Sequence, residues 1–163
     1  MTQQTGGLAL YPGTFDPFTY GHLDIVERAS RLFDRVEVTL ATNTRKKPLL
    51  DPDTRVGLIR ECVGHLDNVS VAAFEGLLVE YAERRGAIAL VRGLRQVSDF
   101  DSEFRMAFAN RRLKPDIDTV FLMTSEQHAL ISSTIVREIH YWGGDTSSFV
   151  PDPVHEALRR LNS

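Results

Sequence analysis

The chain has 163 residues, of which 42% are hydrophobic and 25% charged, and its formal net charge is −3 at pH 7. This length fits a single domain with its own core, and this balance of residues is that of an ordinary globular domain. The slightly acidic charge argues against a general nucleic-acid binder, although a local basic cleft could still hold a small polyanion.

Short apolar or β-branched segments alternate with amphipathic segments along the whole chain. The former predict β-strands and the latter predict α-helices. In chain order we predict a strand ending at 8–10, a helix from 22, a strand at 36–41, a helix at 51–64, a strand at 69–74, a helix at 76–86, a strand at 87–91, a helix at 99–113, a strand at 119–123, a helix at 132–144 and a helix from 152. This alternation predicts one α/β domain over residues 1–163, with a doubly wound, five-stranded parallel sheet.

Two helix starts have the same residue pair. Asp51 with Pro52, and Asp152 with Pro153, have the residue types of an N-cap followed by the first helical position. We therefore expect both aspartates to cap their helices.

Cysteine usage and hydropathy point to one compartment. Cys62 is the only cysteine and has the character of a small buried residue, so we expect no internal disulfide and a reducing cytoplasm. The first seven residues are polar and predict no signal peptide, and no apolar run approaches the length of a membrane span. We expect a cytoplasmic protein whose partners include neither a membrane nor a nucleic acid.

The polar side chains of chemical interest follow the predicted strands. Ligands of open parallel sheets bind beyond the carboxyl ends of the strands, where the strand order reverses. The groups expected at that edge are Thr14 and His22 after the first strand, Lys46 after the second, Arg92 and Arg95 after the fourth, and Ser132, Ser133 and Thr134 after the fifth. Cations, hydroxyls and an imidazole near a helix start are groups that bind phosphates, so one shared phosphate pocket is predicted.

Three segments resemble signatures of one enzyme family. Residues 13–17 with Gly21-His22 resemble the first motif of the H-x-G-H nucleotidylyltransferases, with Thr19 in place of the first histidine, a variant typical of phosphopantetheine adenylyltransferases. Residues 131–137 resemble the second motif, I-S-S-T-x-x-R. The segment 92–95, Arg-Gly-Leu-Arg, followed by a glutamate, resembles a hallmark of the same family.

The resemblance implies a Rossmann-like nucleotidylyltransferase fold and a defined reaction. The phosphate of 4′-phosphopantetheine would attack the α-phosphorus of ATP, giving dephospho-coenzyme A and pyrophosphate in coenzyme A biosynthesis. Mg²⁺ would bridge oxygens of ATP, with few ligands from the protein. Members of the family are typically homohexamers, so a homo-oligomer is also implied.

The resemblance further implies a role for particular residues. His22 would stabilise the transition state, Thr14 would orient the attacking phosphate, Lys46 and Arg92 would hold that phosphate, and Leu78 would contact the pantetheine arm. The residues implied to contact ATP are Thr14, Phe15, His22, Gly93, Leu94, Arg95, Glu103, His128, Ala129, Leu130, Ile131, Ser132, Ser133 and Thr134. His128 departs from the tryptophan or tyrosine common at its position.

Several residues also allow a purely structural interpretation. The arginines of 92–95 could form ion pairs with carboxylates of the next helix, at Asp99, Asp101 or Glu103. A helix N-cap explains one hydroxyl of 132–134 but not three in a row. The stripe of Phe100, Phe104 and Phe108 at helical spacing is more typical of a core or a subunit contact than of a ligand surface.

Three other functions remain open from the residues alone. Another nucleotidylyltransferase, acting on nicotinamide or nicotinate mononucleotide or transferring cytidylyl groups, would share the motifs, but Thr19 and residues 92–95 favour the phosphopantetheine interpretation. A non-catalytic nucleotide sensor could lose the imidazole, which is present here as His22. A flavodoxin-like electron carrier fits the fold, but the cationic edge suits a triphosphate better than a flavin.

Overall fold

The computed structural model describes residues 6–42 and 47–162, and its centre is a parallel sheet. The strands are β1 (Leu8–Gly13), β2 (Arg35–Ala41), β3 (Val69–Phe74), β4 (Ala87–Leu94) and β5 (Asp118–Met123). Every neighbouring pair is parallel, and the spatial order is β3-β2-β1-β4-β5. The order reverses between β1 and β4, which confirms the predicted doubly wound sheet.

The described residues form six α-helices that connect and follow the strands. They are α1 (Tyr20–Leu32), α2 (Pro52–Val63), α3 (Leu78–Arg85), α4 (Val97–Leu113), α5 (Ser133–Tyr141) and α6 (Asp152–Leu161), and a short 3-10 turn, Glu126–His128, precedes α5. None of these helices combines the length and the apolar character that crossing a membrane requires.

The two faces of the sheet are buried under different helices. On β1, Ala9 and Tyr11 belong to a core that also contains residues of α1, α2, α5 and α6. Leu8 and Leu10 belong to a second core with residues of α3. Successive side chains of a strand point to opposite faces, so burial on both faces explains why β1 is apolar throughout.

Strand β4 is longer than predicted. It extends to Leu94, so Arg92 and Gly93 lie inside the strand, opposite Phe121 and Leu122 of β5, and not in a loop after it. Backbone hydrogen bonds to β5 make this extension possible, because each ladder partner satisfies a peptide group. The side chain of Arg92 therefore projects from a rigid strand.

The two predicted N-caps have different outcomes. Asp51 caps α2 by accepting a hydrogen bond from the backbone N–H of Thr54 at 2.9 Å, as predicted. The prediction for Asp152 is wrong, because the N-cap of α6 is Pro151 and no side chain caps this helix. Asp152 instead occupies the first turn, where its negative charge is favourable beside the helix dipole.

Helix α4 is the least buried helix that the structure describes. Its side chains Phe100, Phe104 and Phe108 are 45%, 41% and 60% exposed, and Asn110 is its buried residue. The ring centroids of successive phenylalanines lie 5.0 and 4.6 Å apart. The stripe is therefore an apolar surface rather than part of the core.

Candidate active site

A cavity of about 650 Å³ lies at the carboxyl ends of β1 and β4, where the strand order reverses. The loop after β1, the starts of α1, α4 and α5, and the end of β4 supply its walls. The predicted site residues that line it are Thr14, Phe15, His22, Arg92, Gly93, Arg95, Glu103, Ala129, Leu130, Ile131, Ser132, Ser133 and Thr134. Tertiary structure thus brings groups from distant parts of the chain to one place.

Four predicted site residues are not placed in this wall. Leu94 ends β4, and His128 stacks its ring on Tyr20 at a centroid distance of 5.9 Å. Leu78 begins α3 and packs against the second core, on the other face of the sheet. Lys46 lies outside the residues that the structure describes, so its role stays a prediction.

Three side-chain donors hold the loop between β1 and α1. Arg55 donates from Nη1 to the Thr14 carbonyl at 2.6 Å, and Arg137 donates from Nη1 to the Asp16 carbonyl at 2.6 Å. The Ser133 hydroxyl donates to the Pro17 carbonyl at 2.8 Å. Loop carbonyls have no partners from a regular element, so side chains must satisfy them when they are buried. The donors come from α2 and α5, which fixes the loop relative to both helices.

The Asp16 carboxylate fixes the same loop from the other side. It is 7% exposed and accepts hydrogen bonds from the backbone N–H groups of Leu49 and Leu50 at 2.8 and 2.9 Å. Arg55, 2% exposed, lies close enough for its charge to interact with Asp16. The two backbone hydrogen bonds therefore tie the segment before α2 to the loop after β1, and the positive charge of Arg55 in α2 favours the buried carboxylate.

Close packing of aromatic rings shapes the loop. Phe15 has a φ of 48°, in the left-handed region that residues other than glycine rarely adopt. Its ring packs edge-on against Tyr11 and Phe18, at centroid distances of 5.3 and 5.6 Å. A methyl group at Gly13 would lie 2.8 Å from the tip of this ring, so only glycine fits there.

His22 and Thr19 cap α1 together. The Thr19 hydroxyl accepts a hydrogen bond from the backbone N–H of His22 at 3.3 Å, and the Thr19 backbone N–H donates to His22 Nδ1 at 3.0 Å. Because Nδ1 accepts, the proton of the neutral ring lies on Nε2. Burial, and then the charges of Arg95 and Arg92, lower the pKa of His22 to about 3. The ring is therefore a neutral hydrogen-bond donor.

Both arginines of the segment 92–95 are paired with carboxylates of α4. Arg92 donates from Nε and Nη2 to Glu103 at 2.7 and 2.6 Å and from Nη1 to the Pro12 carbonyl at 3.0 Å, and Arg95 Nε lies 3.4 Å from an Asp99 oxygen. The ion-pair interpretation is therefore confirmed for these two pairs. It does not exclude phosphate binding, because each terminal guanidinium nitrogen carries a second proton.

The three hydroxyls at the start of α5 have three different partners. Ser132 caps the helix by accepting from the Ile135 backbone N–H at 3.2 Å, Ser133 holds the Pro17 carbonyl, and Thr134 accepts from Arg137 at 3.2 Å. Capping explains one hydroxyl, as predicted, and the other two organise the walls of the cavity. The first backbone N–H groups of α5 remain available to an anion, as at any helix start.

Some lining residues were not among the predicted site residues. They include Tyr11, Gln96, Ser102 and Thr124. For Tyr11 a signal existed, because it shares a strand face with Ala9 and directly precedes the proline–glycine turn. For the others the sequence gives no comparable signal, since their place depends on how α4 and β5 pack.

The chain is similar to known proteins over most of its length. The cytidylyltransferase-like family matches residues 10–139. A phosphopantetheine adenylyltransferase of Rubrobacter xylanophilus is 50% identical over 96% of this chain and 95% of its own length. The corresponding protein of Methylococcus capsulatus is 52% identical over 93% of this chain and 94% of its own length.

Solved structures share the fold at much lower identity. A Vibrio parahaemolyticus protein superposes with a TM-score of 0.71 at 20% identity and covers 94% of this chain and 98% of its own. A Francisella tularensis bifunctional NMN adenylyltransferase/ADP ribose pyrophosphatase, solved with AMP and a manganese ion, gives a TM-score of 0.70 at 18% identity. This chain covers 49% of that longer protein. At 18% identity, the likeness shows only that the two proteins share a fold.

We expect the His22 imidazole to stay neutral, with its proton on Nε2, from about pH 8 down to about pH 5. The pKa is about 3 in the folded chain against 6.5 for a free histidine, so the unfolded chain binds the proton first as the pH falls. His22 therefore lowers the free energy of unfolding as the pH falls from 6.5 towards 3. Nitrogen NMR of the ring measures tautomer and pKa, and a proton on Nδ1 at neutral pH would contradict this assignment.

Proposed function

The chain belongs to the phosphopantetheine adenylyltransferases, which are nucleotidylyltransferases, and we propose that it transfers the adenylyl group of ATP to 4′-phosphopantetheine. The products are dephospho-coenzyme A and pyrophosphate. The 50% identity to a phosphopantetheine adenylyltransferase over 96% of this chain confirms the family that the motifs indicated. The observation that carries the proposal is a neutral Nε2–H donor in one cavity with two arginines and the start of α5.

The reaction follows from what this cavity offers. An oxygen of the acceptor phosphate attacks the α-phosphorus, a new P–O bond forms, and the bond to the pyrophosphate oxygen breaks. Such a reaction depends on positioning and on charge stabilisation, because the substrate itself supplies the nucleophile. His22 Nε2–H donates to an α-phosphate oxygen as negative charge grows there, and Thr14 orients the attacking phosphate.

Different cations of the site bind the two substrates. Arg92 projects from β4 beside the Pro12 carbonyl and, together with Lys46, neutralises the acceptor phosphate. Arg95 and the first turn of α5 hold the phosphates of ATP, where the helix dipole favours negative charge. Glu103 keeps Arg92 in place through a bidentate ion pair and lies beside the nucleotide. The family resemblance alone assigns Leu78 to the pantetheine arm and His128 to the nucleotide, since neither residue lines the cavity.

The donor set fits a magnesium ion that enters with ATP. Across residues 6–42 and 47–162 no three histidine, cysteine or carboxylate side chains form a metal cluster. The carboxylates of the cavity wall, Asp99 and Glu103, are engaged by arginines, which leaves phosphate oxygens as the main ligands. When bound, the ion supplies positive charge that neutralises the phosphates of ATP.

A homohexamer in the cytoplasm completes the proposal. The exposed stripe of Phe100, Phe104 and Phe108 on α4 is an apolar surface that a second copy would cover. The relatives that are 50% and 52% identical in sequence to this chain are bacterial biosynthetic enzymes, which supports a cytoplasmic location. Sedimentation velocity is expected to give six times the chain mass of 18.3 kDa, and a monomer at micromolar concentration would contradict the hexamer.

Incubation with ATP, Mg²⁺ and 4′-phosphopantetheine is expected to release pyrophosphate and form dephospho-coenzyme A, as measured by mass spectrometry. Nicotinamide mononucleotide, nicotinate mononucleotide and a cytidylyl donor with its acceptor serve as rival substrates. His22→Ala is expected to lower kcat by about 10²- to 10³-fold, the effect of losing one transition-state donor. Turnover of a rival instead, or a His22→Ala variant with unchanged kcat, would overturn the assignment.

Arg92→Ala is expected to raise the KM for 4′-phosphopantetheine by about 10- to 100-fold, because a charged hydrogen bond to phosphate is lost, while the KM for ATP changes far less. Arg105→Ala is the matched control, since this arginine is 77% exposed and pairs with Asp101 outside the cavity wall. An equal loss for both substrates in Arg92→Ala would contradict the assignment of this arginine to the acceptor.

A further inference from the structure

Tyr11 is a buried residue whose hydroxyl opens on the cavity. The residue is 5% exposed, and its ring packs beside those of Phe15 and His22, at centroid distances of 5.3 and 6.4 Å. A methyl group at Gly93 would lie 3.9 Å from the hydroxyl oxygen, which places that oxygen beside the end of β4. Tyr11 therefore reaches from β1 to the strand that carries the arginines.

This hydroxyl has no hydrogen-bond partner among the residues that the structure describes. The hydroxyl oxygen opens on the cavity and is not sealed from it, because the fully buried side-chain atoms without a partner among the described residues are Arg55 Nε, Arg55 Nη2 and Ser125 Oγ. Tyrosine hydroxyls in apolar surroundings usually find a partner, and this one is free to donate to a molecule that fills the cavity. Tyr81 shows the ordinary case, since its hydroxyl donates to Glu37 at 2.7 Å outside the cavity wall.

The surroundings of Tyr11 decide which atom such a ligand presents. Burial raises the pKa of Tyr11 against the opposing charges of Arg92 and Arg95, so the phenol keeps its proton and can donate. The neighbouring Nε2–H of His22 is also a donor, and the two arginines carry only donors. Donors that line one space fit an oxygen-rich anion. His22 and Arg95 are assigned to ATP and Arg92 to the acceptor, so a phosphate of ATP is the anion that more of these donors share, and the test below separates it from the acceptor phosphate.

We propose that the Tyr11 hydroxyl donates a hydrogen bond to a phosphate oxygen of the bound nucleotide, beside the oxygen that His22 contacts. This inference rests on the proposed function for the identity of the nucleotide. It assigns to Tyr11 direct contact with a substrate and makes the end of β1 part of the binding surface. A neutral donor at this point adds a hydrogen bond without adding to the positive charge that Arg92 and Arg95 already supply.

The test is the affinity of Tyr11→Phe for α,β-methylene-ATP with Mg²⁺, measured by isothermal titration calorimetry without an acceptor. We expect the Kd to rise by about 10-fold or more, and kcat/KM for ATP to fall in parallel, because a hydrogen bond to a charged group is lost. The KM for 4′-phosphopantetheine should change by less than about twofold. Tyr81→Phe, which also loses a hydroxyl, should bind the analogue like the wild type.

Several other outcomes overturn the proposal, and one overturns only the proposed function. Tyr11→Phe with the wild-type Kd, or an equal loss in Tyr81→Phe, shows that the hydroxyl does not contact the nucleotide. If Tyr11→Phe fails to fold, carbon NMR of the wild-type tyrosine Cζ replaces it, and a Tyr11 signal that the analogue leaves unmoved is the negative result. A wild type that binds the analogue through Tyr11 yet adenylylates a different acceptor would overturn the proposed function alone.

Discussion

The loop between β1 and α1 depends on hydrogen bonds that other elements donate to its carbonyls. Arg55 donates to Thr14, Arg137 to Asp16 and Ser133 to Pro17, so α2 and α5 hold the loop, and Arg92 of β4 donates to Pro12 at the end of β1, just before it. The loop has no ladder or helix of its own to satisfy these groups, and burial without partners would be costly. One segment thereby positions the phosphate-binding groups of three distant elements relative to one another.

The imidazole of His22 shows how this packing sets chemistry. Its Nδ1 accepts from Thr19, which fixes the ring and its tautomer, and burial with two nearby arginines keeps it uncharged. The Thr19 side chain supplies the helix cap, and the Thr19 backbone N–H supplies the hydrogen bond that orients the ring. The acid–base state of the ring follows from its environment, because a charged form would be desolvated next to like charges.

Helix α4 has one set of side chains that faces the cavity and another that faces solvent. Its carboxylates Asp99 and Glu103 hold the arginines of β4 at the cavity, whereas its phenylalanines form an apolar stripe that faces solvent in the single chain. A helix with so little buried surface gains little stability from its own domain. The homo-oligomer proposed above would cover this stripe.

The sequence by itself determined the alternation of strands and helices, the parallel sheet, and the loop motifs that carry His22 and Ser133, because periodicity and turn residues are local signals. Tertiary structure alone decided the lowered pKa of His22, the pairing of Arg92 with Glu103, and the extension of β4 through Gly93. These depend on contacts between residues far apart in the chain. Arg55 is the clearest case: it shares the buried face of α2 with Ile59, and its contact with the Thr14 carbonyl and the nearby Asp16 carboxylate explain a cation there.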